Sequence, residues 1–220
     1  MMKNIAIDGP AGAGKSSIAK LVAKEMGIVY VDTGAMYRAM ALSCLDAGLD
    51  LEDEAAVSEN IGRVAIEIRY DNGTQLVILD GKDVSTTIRE ERVGKGASTI
   101  ARYAAVRERL VALQRELAAK QDVIMDGRDI GTVVLPNASL KIFLTASSRV
   151  RAQRRYLELQ EKGETCDLDE IEKDIIARDE QDMNRAVSPL KQADDAILVD
   201  TSDMTIEEVV AKIRSLADGD

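Results

Sequence analysis

Histidine is missing from the whole 220-residue chain, and cysteine occurs only as Cys44 and Cys166. Without histidine, neither a Ser-His triad nor a histidine general base can form. The two cysteines lie far apart and have no partner at metal-ligand spacing, so neither a zinc site nor a disulfide framework is expected. These absences favour reactions in which positioning and charge do most of the catalysis, of which phosphoryl transfer is the leading one.

Long apolar runs and an excess of positive charge are also lacking. No apolar run approaches the ~18 residues of a membrane span, and the net charge is −10. Nucleic acids and anionic membranes bind basic faces, so neither is an expected partner. The first residues lead directly into a predicted strand, which leaves no room for a signal segment. We therefore expect a soluble, cytoplasmic protein, and we expect a monomer.

What the sequence does contain is a phosphate-loop pattern near its start, Gly9-Pro10-Ala11-Gly12-Ala13-Gly14-Lys15-Ser16. An apolar run, Ile5-Ala6-Ile7-Asp8, precedes it and reads as a strand, and apolar residues at helical spacing follow it. Glycines let the backbone N–H groups point at phosphate oxygens, and the helix adds its positive end. Lys15 would reach the β- and γ-phosphates, and Ser16 offers a hydroxyl for Mg²⁺. A glycine-rich turn with a chance lysine is the alternative, and we predict a nucleoside triphosphate site.

The rest of the chain alternates between predicted strands and helices. Five apolar runs read as buried strands, at residues 5–8, 28–32, 122–126, 140–145 and 196–200. They predict an α/β fold with a five-stranded parallel sheet and helices on both faces. Residues 63–85 alternate with period two around Asp71-Asn72-Gly73, which indicates an antiparallel insert with a hairpin turn.

Predicted helices fill the remaining segments. Thr86 to Lys120 reads as helical, Ser147 to Lys162 as a basic helix and Leu168 to Asn184 as an acidic one. Gly27 has the position of a C-terminal cap. Thr205 and Glu208 have the spacing of a capping box that begins the last helix.

Three charged clusters decide how the triphosphate would be used. Asp126-Gly127-Arg128-Asp129 follows a predicted strand, at the edge where parallel sheets bind ligands, although a plain turn is possible. Spacing alone favours an exposed ion-pair ladder for Arg178, Asp182 and Arg185 at i, i+4 and i+7. A solvated basic face is likewise the default for Arg151, Arg154 and Arg155. Together, however, so many arginines in an acidic protein favour the binding of phosphate groups.

Four stretches together resemble the bacterial cytidylate kinases, a group within the nucleoside monophosphate kinase family. They are residues 7–15, Asp32-Thr33-Gly34-Ala35-Met36-Tyr37-Arg38, residues 126–134 and residues 178–185. The resemblance implies one phosphate-loop kinase domain over residues 1–220, with five parallel core strands. It further implies a monophosphate-binding lobe at 33–102, which contains the antiparallel insert, and a mobile helical lid at 149–165. The implied reaction is transfer of the γ-phosphate of Mg²⁺-ATP to CMP or dCMP.

The resemblance also implies roles for individual residues. ATP would contact residues 9–16 and Ser17, and the resemblance leaves open whether Ser16 or Ser17 reaches Mg²⁺. The acceptor-binding set comprises Thr33, Tyr37 and Arg38 beside the monophosphate, Ser98, Arg107 and Asp129 at the cytosine, Arg128, Arg178 and Arg185 at the phosphate or ribose, and Asp182 at a ribose hydroxyl. The implied catalytic set is Lys15, Arg128, Arg151, Arg154 and Arg155, with the last three brought to the transferring group by lid closure.

Other functions stay open at this point. A kinase for UMP, AMP or a non-nucleotide alcohol would share the phosphate loop. The residues that would distinguish CMP from these other acceptors are Ser98, Arg107 and Asp129. A GTPase or ATPase switch is another class, but the guanine-reading Asn-Lys-x-Asp tetrad is absent. An RNA-binding phosphate-loop protein is disfavoured by the acidic charge.

Overall fold

The computed structural model describes residues 3–219. The strands are β1 (Asn4–Asp8), β2 (Val29–Asp32), β3 (Ile66–Asp71), β4 (Thr74–Leu79), β5 (Lys82–Asp83), β6 (Val123–Gly127), β7 (Leu140–Thr145) and β8 (Ile197–Asp200). The helices are α1 (Lys15–Met26), α2 (Thr33–Asp46), α3 (Glu54–Ile61), α4 (Glu91–Ile100), α5 (Ala104–Ala118), α6 (Ser148–Glu161), α7 (Leu168–Asn184) and α8 (Ile206–Asp218).

A five-stranded parallel sheet has the order β2-β6-β1-β7-β8, which confirms the predicted fold class. Ile5, Ala6 and Ile7 of the central strand β1 are fully buried, as expected for a strand covered on both faces. In the parallel register Asp8 lies opposite both Gly127 and Phe143. The carboxyl ends of β1, β6 and β7 therefore meet at one edge of the sheet.

Strand β8 differs from its prediction as a buried strand. Ile197 is 38% and Leu198 53% exposed, and only Val199 is fully buried. Strand β8 is the last strand of the sheet and pairs with β7 alone. The apolar run predicted the strand correctly, but its burial was predicted wrongly.

The chain divides into two compact units, and the first contains the residues before Val29 together with those from Asp122 onward. Its helix ends follow the sequence signals. Helix α1 ends at Met26 and is capped by Gly27, as predicted; Gly27 has a positive φ of 66° and donates its N–H to the Ala23 carbonyl. Helix α8 begins with the predicted capping box between Thr205 and Glu208.

The second unit, Val29–Gln121, combines helices α2 to α5 with the antiparallel sheet β3-β4-β5. The predicted hairpin is confirmed: Asn72 and Gly73 both have positive φ, 48° and 78°, as the tight turn between β3 and β4 requires. An apolar cluster from all four helices and from β3 and β4 fills the unit. The predicted acceptor lobe, residues 33–102, lies within it.

The long helical prediction from Thr86 to Lys120 is only partly right. A short 3₁₀ turn, helix α4 and helix α5 share this segment, with a break at residues 101–103. At the break the buried Tyr103 donates its hydroxyl to the Leu51 carbonyl at 2.9 Å. This contact is made to a distant segment, so helical periodicity did not reveal it. Helix α3 was not predicted either.

None of the helices in residues 3–219 combines the length and the apolar character that crossing a membrane requires.

Candidate active site

The phosphate loop lies between β1 and α1 in the first unit, in the predicted order of strand, loop and helix. Gly9, Gly12 and Gly14 all have positive φ, at 150°, 73° and 83°. At Gly9 a Cβ atom would lie 1.9 Å from the Leu144 carbonyl oxygen, so no other residue fits there. The loop conformation therefore depends on its glycines, as the motif predicted.

Lys15 is buried, with only 6% of its surface exposed, and its Nζ donates to the Pro10 carbonyl of the same loop at 2.7 Å. Burial lowers the pKa of Lys15 well below its usual value, and the nearby charge of Arg128 acts in the same direction. The carboxylates of Asp126, Asp8 and Asp182 oppose this shift. An anionic ligand at the loop would stabilise the charged form of this lysine.

Ser16, the residue predicted to offer a hydroxyl to Mg²⁺, lies beside a carboxylate. Its hydroxyl donates to Asp126 Oδ2 at 2.7 Å, while the side chain of Ser17 is exposed. A serine hydroxyl and a carboxylate at the end of the neighbouring strand are hard oxygen donors, which suit Mg²⁺ bound mainly through substrate phosphates and water. The residues present therefore fit this cation, and Ser16 fits better than Ser17.

Asp8, the last residue of β1, is buried directly before the loop. Its two carboxylate oxygens accept hydrogen bonds from the backbone N–H groups of Ile130 and Gly131, each at 2.7 Å. Burial raises the pKa of Asp8 to about 6 and the charge of Asp129 acts in the same direction, whereas the two hydrogen bonds and Lys15 lower it.

Arginines and carboxylates form a partly buried network at the end of β6. Arg128 Nε donates to Asp182 Oδ2 at 2.8 Å. Arg185 lies 3.7 Å from Asp182 and 3.8 Å from Asp129. Burial alone would raise the pKa of Asp182, but Arg128, Arg185 and Arg178 together hold it below its usual value. The structure thus brings these five predicted residues into one electrostatic cluster.

This cluster corrects the interpretation of helix α7 as carrying an exposed ladder. Asp182 is buried and contacts Arg128 from another segment of the chain. Helix α7 ends at Asn184, so Arg185 has extended backbone angles and does not continue the helical face. Its Nε donates to the Ser188 carbonyl, three residues further along the chain.

The three arginines of helix α6 that were predicted to be catalytic have different surroundings. Arg151 is buried, donates to the Ala11 carbonyl of the phosphate loop at 2.8 Å and pairs with Asp179 at 2.7 Å. Arg154 donates to the carbonyl and hydroxyl oxygens of Thr201. Arg155 pairs with Glu158 one turn along the same helix. A solvated basic face is therefore wrong for Arg151.

In the second unit, helix α2 begins at the buried Thr33 and carries the half-buried Tyr37 and Arg38. The buried Arg107 of helix α5 places its guanidinium 5.5 Å from the centre of the Tyr37 ring and donates to the Ala101 carbonyl. This contact joins two residues predicted at different parts of the acceptor. Ser98 lies half-buried on helix α4.

Three of the buried carboxylates in the first unit had no individual role predicted from the sequence: Asp8, Asp126 and Asp179. For Asp8 and Asp126 the signal was present, because each is an acidic residue at the end of a buried apolar run. Asp179 gave no such signal, because its partner Arg151 lies on another helix.

Comparison with known proteins places the chain in a family. A family model described as cytidylate kinase matches residues 5–218. The cytidylate kinase of Lactobacillus johnsonii is 51% identical over 215 residues, which cover 98% of this chain and 94% of that protein. The cytidylate kinase of Bacillus cereus is 50% identical over 216 residues, with 98% and 96% covered.

Solved structures support the fold alone. Shikimate kinase from Bacteroides thetaiotaomicron has a TM-score of 0.50 at 15% identity, with 99% of both chains covered. A gluconokinase from Sinorhizobium meliloti has a TM-score of 0.50 at 14% identity, with 98% and 93% covered.

The loop geometry, the buried arginines and the family match lead to the same conclusion. Lys15 contacts the loop backbone, Ser16 donates to Asp126 at the end of β6, and Arg128 donates to Asp182 of helix α7. Because the family model and the relatives cover nearly the full chain, the protein is a kinase and belongs to the cytidylate kinase family.

Proposed function

We propose that this enzyme transfers the γ-phosphate of Mg²⁺-ATP to CMP or dCMP and forms ADP with CDP or dCDP. The observation that carries the proposal is the buried group around the phosphate loop, where Lys15, the Ser16–Asp126 pair and Arg128 share one electrostatic environment. A loop that only bound a triphosphate as a switch would not require this concentration of arginines. The family to which the chain belongs supports the same reaction.

For the donor, the backbone N–H groups of residues 9–14 would bind the phosphates and Lys15 would move from the Pro10 carbonyl to the β- and γ-phosphates. Ser16, with Asp126 as its partner, would hold Mg²⁺. When bound, this cation neutralises charge on the β- and γ-phosphate oxygens. Ser17 lies in the first turn of helix α1 with an exposed side chain, and it would contact the donor from there.

For the acceptor base, Asp129 is the residue that we assign to cytosine. The exocyclic N4 group of cytosine donates hydrogen bonds, and a carboxylate accepts them. Uracil presents an oxygen at that place, so a site built around a carboxylate rejects it strongly. In the second unit we assign Ser98 and Arg107 to the acceptor atoms of the base, N3 and O2.

For the acceptor phosphate and ribose, the remaining members of the predicted set are assigned. We propose that Thr33, Tyr37, Arg38, Arg128, Arg178 and Arg185 bind the phosphate or ribose and that Asp182 binds a ribose hydroxyl. A monophosphate carries nearly its full negative charge near neutral pH, so no general base is required for its attack. This agrees with a chain that has no histidine.

For the transferring group, Arg151 and Arg154 have the strongest support, since both lie against the phosphate loop. Arg151 contacts the Ala11 carbonyl, and a Cβ atom on Gly14 would lie 4.0 Å from Arg154 Nη1. Arg155 would have to leave Glu158 in order to take part. Closure of the lid at 149–165 would exclude water during the transfer.

One coupled assay tests the proposal by measuring ADP release from Mg²⁺-ATP with CMP, dCMP, UMP, AMP or buffer. We expect rapid release with CMP or dCMP and little with the other acceptors. Asp129→Ala should raise the KM for CMP about a hundredfold or more and change the KM for ATP little. Equal ADP release with and without an acceptor would contradict the kinase reaction, and equal use of UMP by the unmodified enzyme would contradict the role of Asp129.

A further inference from the structure

Asp8 connects two functional segments that are distant in sequence. It is the last residue of β1, next to Gly9, where the phosphate loop begins. Its Oδ1 accepts from the Ile130 N–H and its Oδ2 from the Gly131 N–H, both at 2.7 Å and across 122 and 123 residues. Both oxygens of one buried carboxylate are therefore used on consecutive backbone groups.

These two hydrogen bonds hold the backbone directly after the dipeptide Arg128-Asp129. Its near end is fixed as well, because Gly127 is the ladder partner of Asp8 in the parallel pairing of β1 with β6. The backbone of β1 thus holds the residue before the dipeptide, and the Asp8 side chain holds the residue after it. Both ends of the dipeptide are therefore held by β1, the strand that leads directly into the phosphate loop.

The conformation of the turn explains why a carboxylate is needed there. Residues Ile130–Val134 form a single π-helical turn, in which Leu135 donates to the Ile130 carbonyl. The first N–H groups of a helical turn have no partner inside it, and those of Ile130 and Gly131 are buried. Asp8 satisfies both, as a capping side chain does at an ordinary helix start.

Gly131 permits this close approach. A Cβ atom on Gly131 would lie 3.3 Å from Asp8 Oδ2 and 3.1 Å from Lys141 Cδ, both closer than ordinary contacts. Lys141 is itself buried and pairs with Asp195 at 2.8 Å. The turn is therefore packed between the Asp8 carboxylate and the Lys141 side chain.

Resting on the proposed function of Arg128 and Asp129, we propose that Asp8 is a positioning residue, which sets the acceptor-reading turn in register with the phosphate loop through its two backbone hydrogen bonds. In this role it acts through the backbone of the turn and not through contact with a substrate. Its effect is to keep the Asp129 carboxylate and the Arg128 guanidinium at the orientation that the acceptor requires.

Asp8→Asn tests this with nearly unchanged volume. An amide has one acceptor oxygen, and its NH₂ group would face the second backbone N–H, so one bond is lost. We expect the KM for CMP to rise about tenfold and the CMP to UMP preference to fall by a similar factor, with the KM for ATP changed less than about threefold. The matched control is Asp53→Asn, since Asp53 also accepts two backbone N–H bonds but caps α3, where asparagine serves equally well.

Hydrogen exchange provides a readout that does not depend on activity. In Asp8→Asn, the amides of Ile130 and Gly131 should exchange faster than in the unmodified protein, while amides in β7 should not. Gly131→Ala disturbs the same contact, because its added Cβ would crowd the Asp8 carboxylate. It should also raise the KM for CMP, and it tests the proposal if Asp8→Asn does not fold.

Two results would overturn the proposal. One is unchanged exchange at residues 130–131 together with an unchanged KM for CMP. The other is an equal loss of CMP and ATP binding, which indicates a general structural role. If the unmodified enzyme used no CMP, the proposed function would fail on its own, and the exchange experiment would still decide whether Asp8 holds the turn.

Discussion

The two units of this chain differ in how many of their charged side chains are buried. The first unit buries many ionisable side chains, among them Asp8, Lys15, Asp126, Asp129, Lys141, Arg151, Asp179 and Asp182. In the second unit Asp32 and Arg107 are buried, and the interior is the apolar cluster of helices α2 to α5. Several ion pairs of the second unit lie at the surface, such as Arg63–Glu59 and Lys95–Glu91.

The difference shows what each unit contributes. Buried charges seldom add net stability, because desolvation offsets the attraction between them, but they are fixed in position before a charged ligand arrives. An apolar cluster stabilises a fold because its side chains are removed from water. It also gives rigid support to the few polar groups at its surface. We therefore expect variants of the first unit to lose activity and variants of the second unit's core to lose stability.

The largest effect on activity is expected from Lys15→Met, which removes a buried charge from the first unit. Turnover should fall about a thousandfold, because the charge that follows the transferring phosphoryl group is lost. Thermal stability should stay the same or increase, since a buried charge is removed. Steady-state kinetics and thermal unfolding check both, with Lys24→Met on the exposed side of the same helix as the control. Turnover near that of the unmodified enzyme would refute the role of Lys15.

The next effect is expected from Leu110→Ala in the core of the second unit. Leu110 is fully buried on helix α5, so the cavity should lower the free energy of unfolding by roughly 2–5 kcal/mol. The kcat should remain within about threefold, since no proposed catalytic atom changes. Urea unfolding measures the loss, and Leu21→Ala, at a residue 40% exposed, should cost about 1 kcal/mol or less. Equal losses in both variants would contradict the assignment of the apolar core.

The smallest effect is a pH dependence of stability that comes from Asp8, a buried carboxylate of the first unit. The pKa of Asp8 is raised to about 6 from 3.8, so between these values the folded protein holds a proton that the unfolded chain has released. This contribution to stability is fully present below about pH 4 and is lost as the pH rises through about 6, and it amounts to at most about 3 kcal/mol. The free energy of unfolding, measured from pH 4 to 7.5, should therefore fall more steeply in the unmodified protein than in Asp8→Asn. Parallel curves would show that Asp8 does not titrate in this range.

Features that depend on neighbouring residues were predictable from the sequence. The phosphate loop, the Asn72-Gly73 turn and the Thr205–Glu208 capping box are each formed within a few residues, and each was confirmed. The five strands were also predicted, because burial on both faces requires continuous apolar runs. The family resemblance added the acceptor residues, whose individual roles stay predictions.

Features that depend on distant residues were not predictable in this way. The burial of Arg151 against Asp179 and Ala11 departs from the basic face that spacing favoured, and Arg185 lies beyond the helix that spacing extended to it. Helical spacing describes which residues share a face, but it does not show which segment covers that face. The exposure of Ile197 and Leu198 in β8 was not predictable either, because an apolar run does not show which segments cover its side chains.

The residues of the phosphate loop were enough to predict its conformation, since that conformation follows from glycines that are close together in the chain. Only the tertiary structure decided how the loop is joined to the residues that we assign to the acceptor. The Asp8 carboxylate and the Ile130 and Gly131 amides are more than 120 residues apart, and they meet because β6 pairs with β1. Strand order arises from the packing of the whole sheet, so no local pattern encodes that contact.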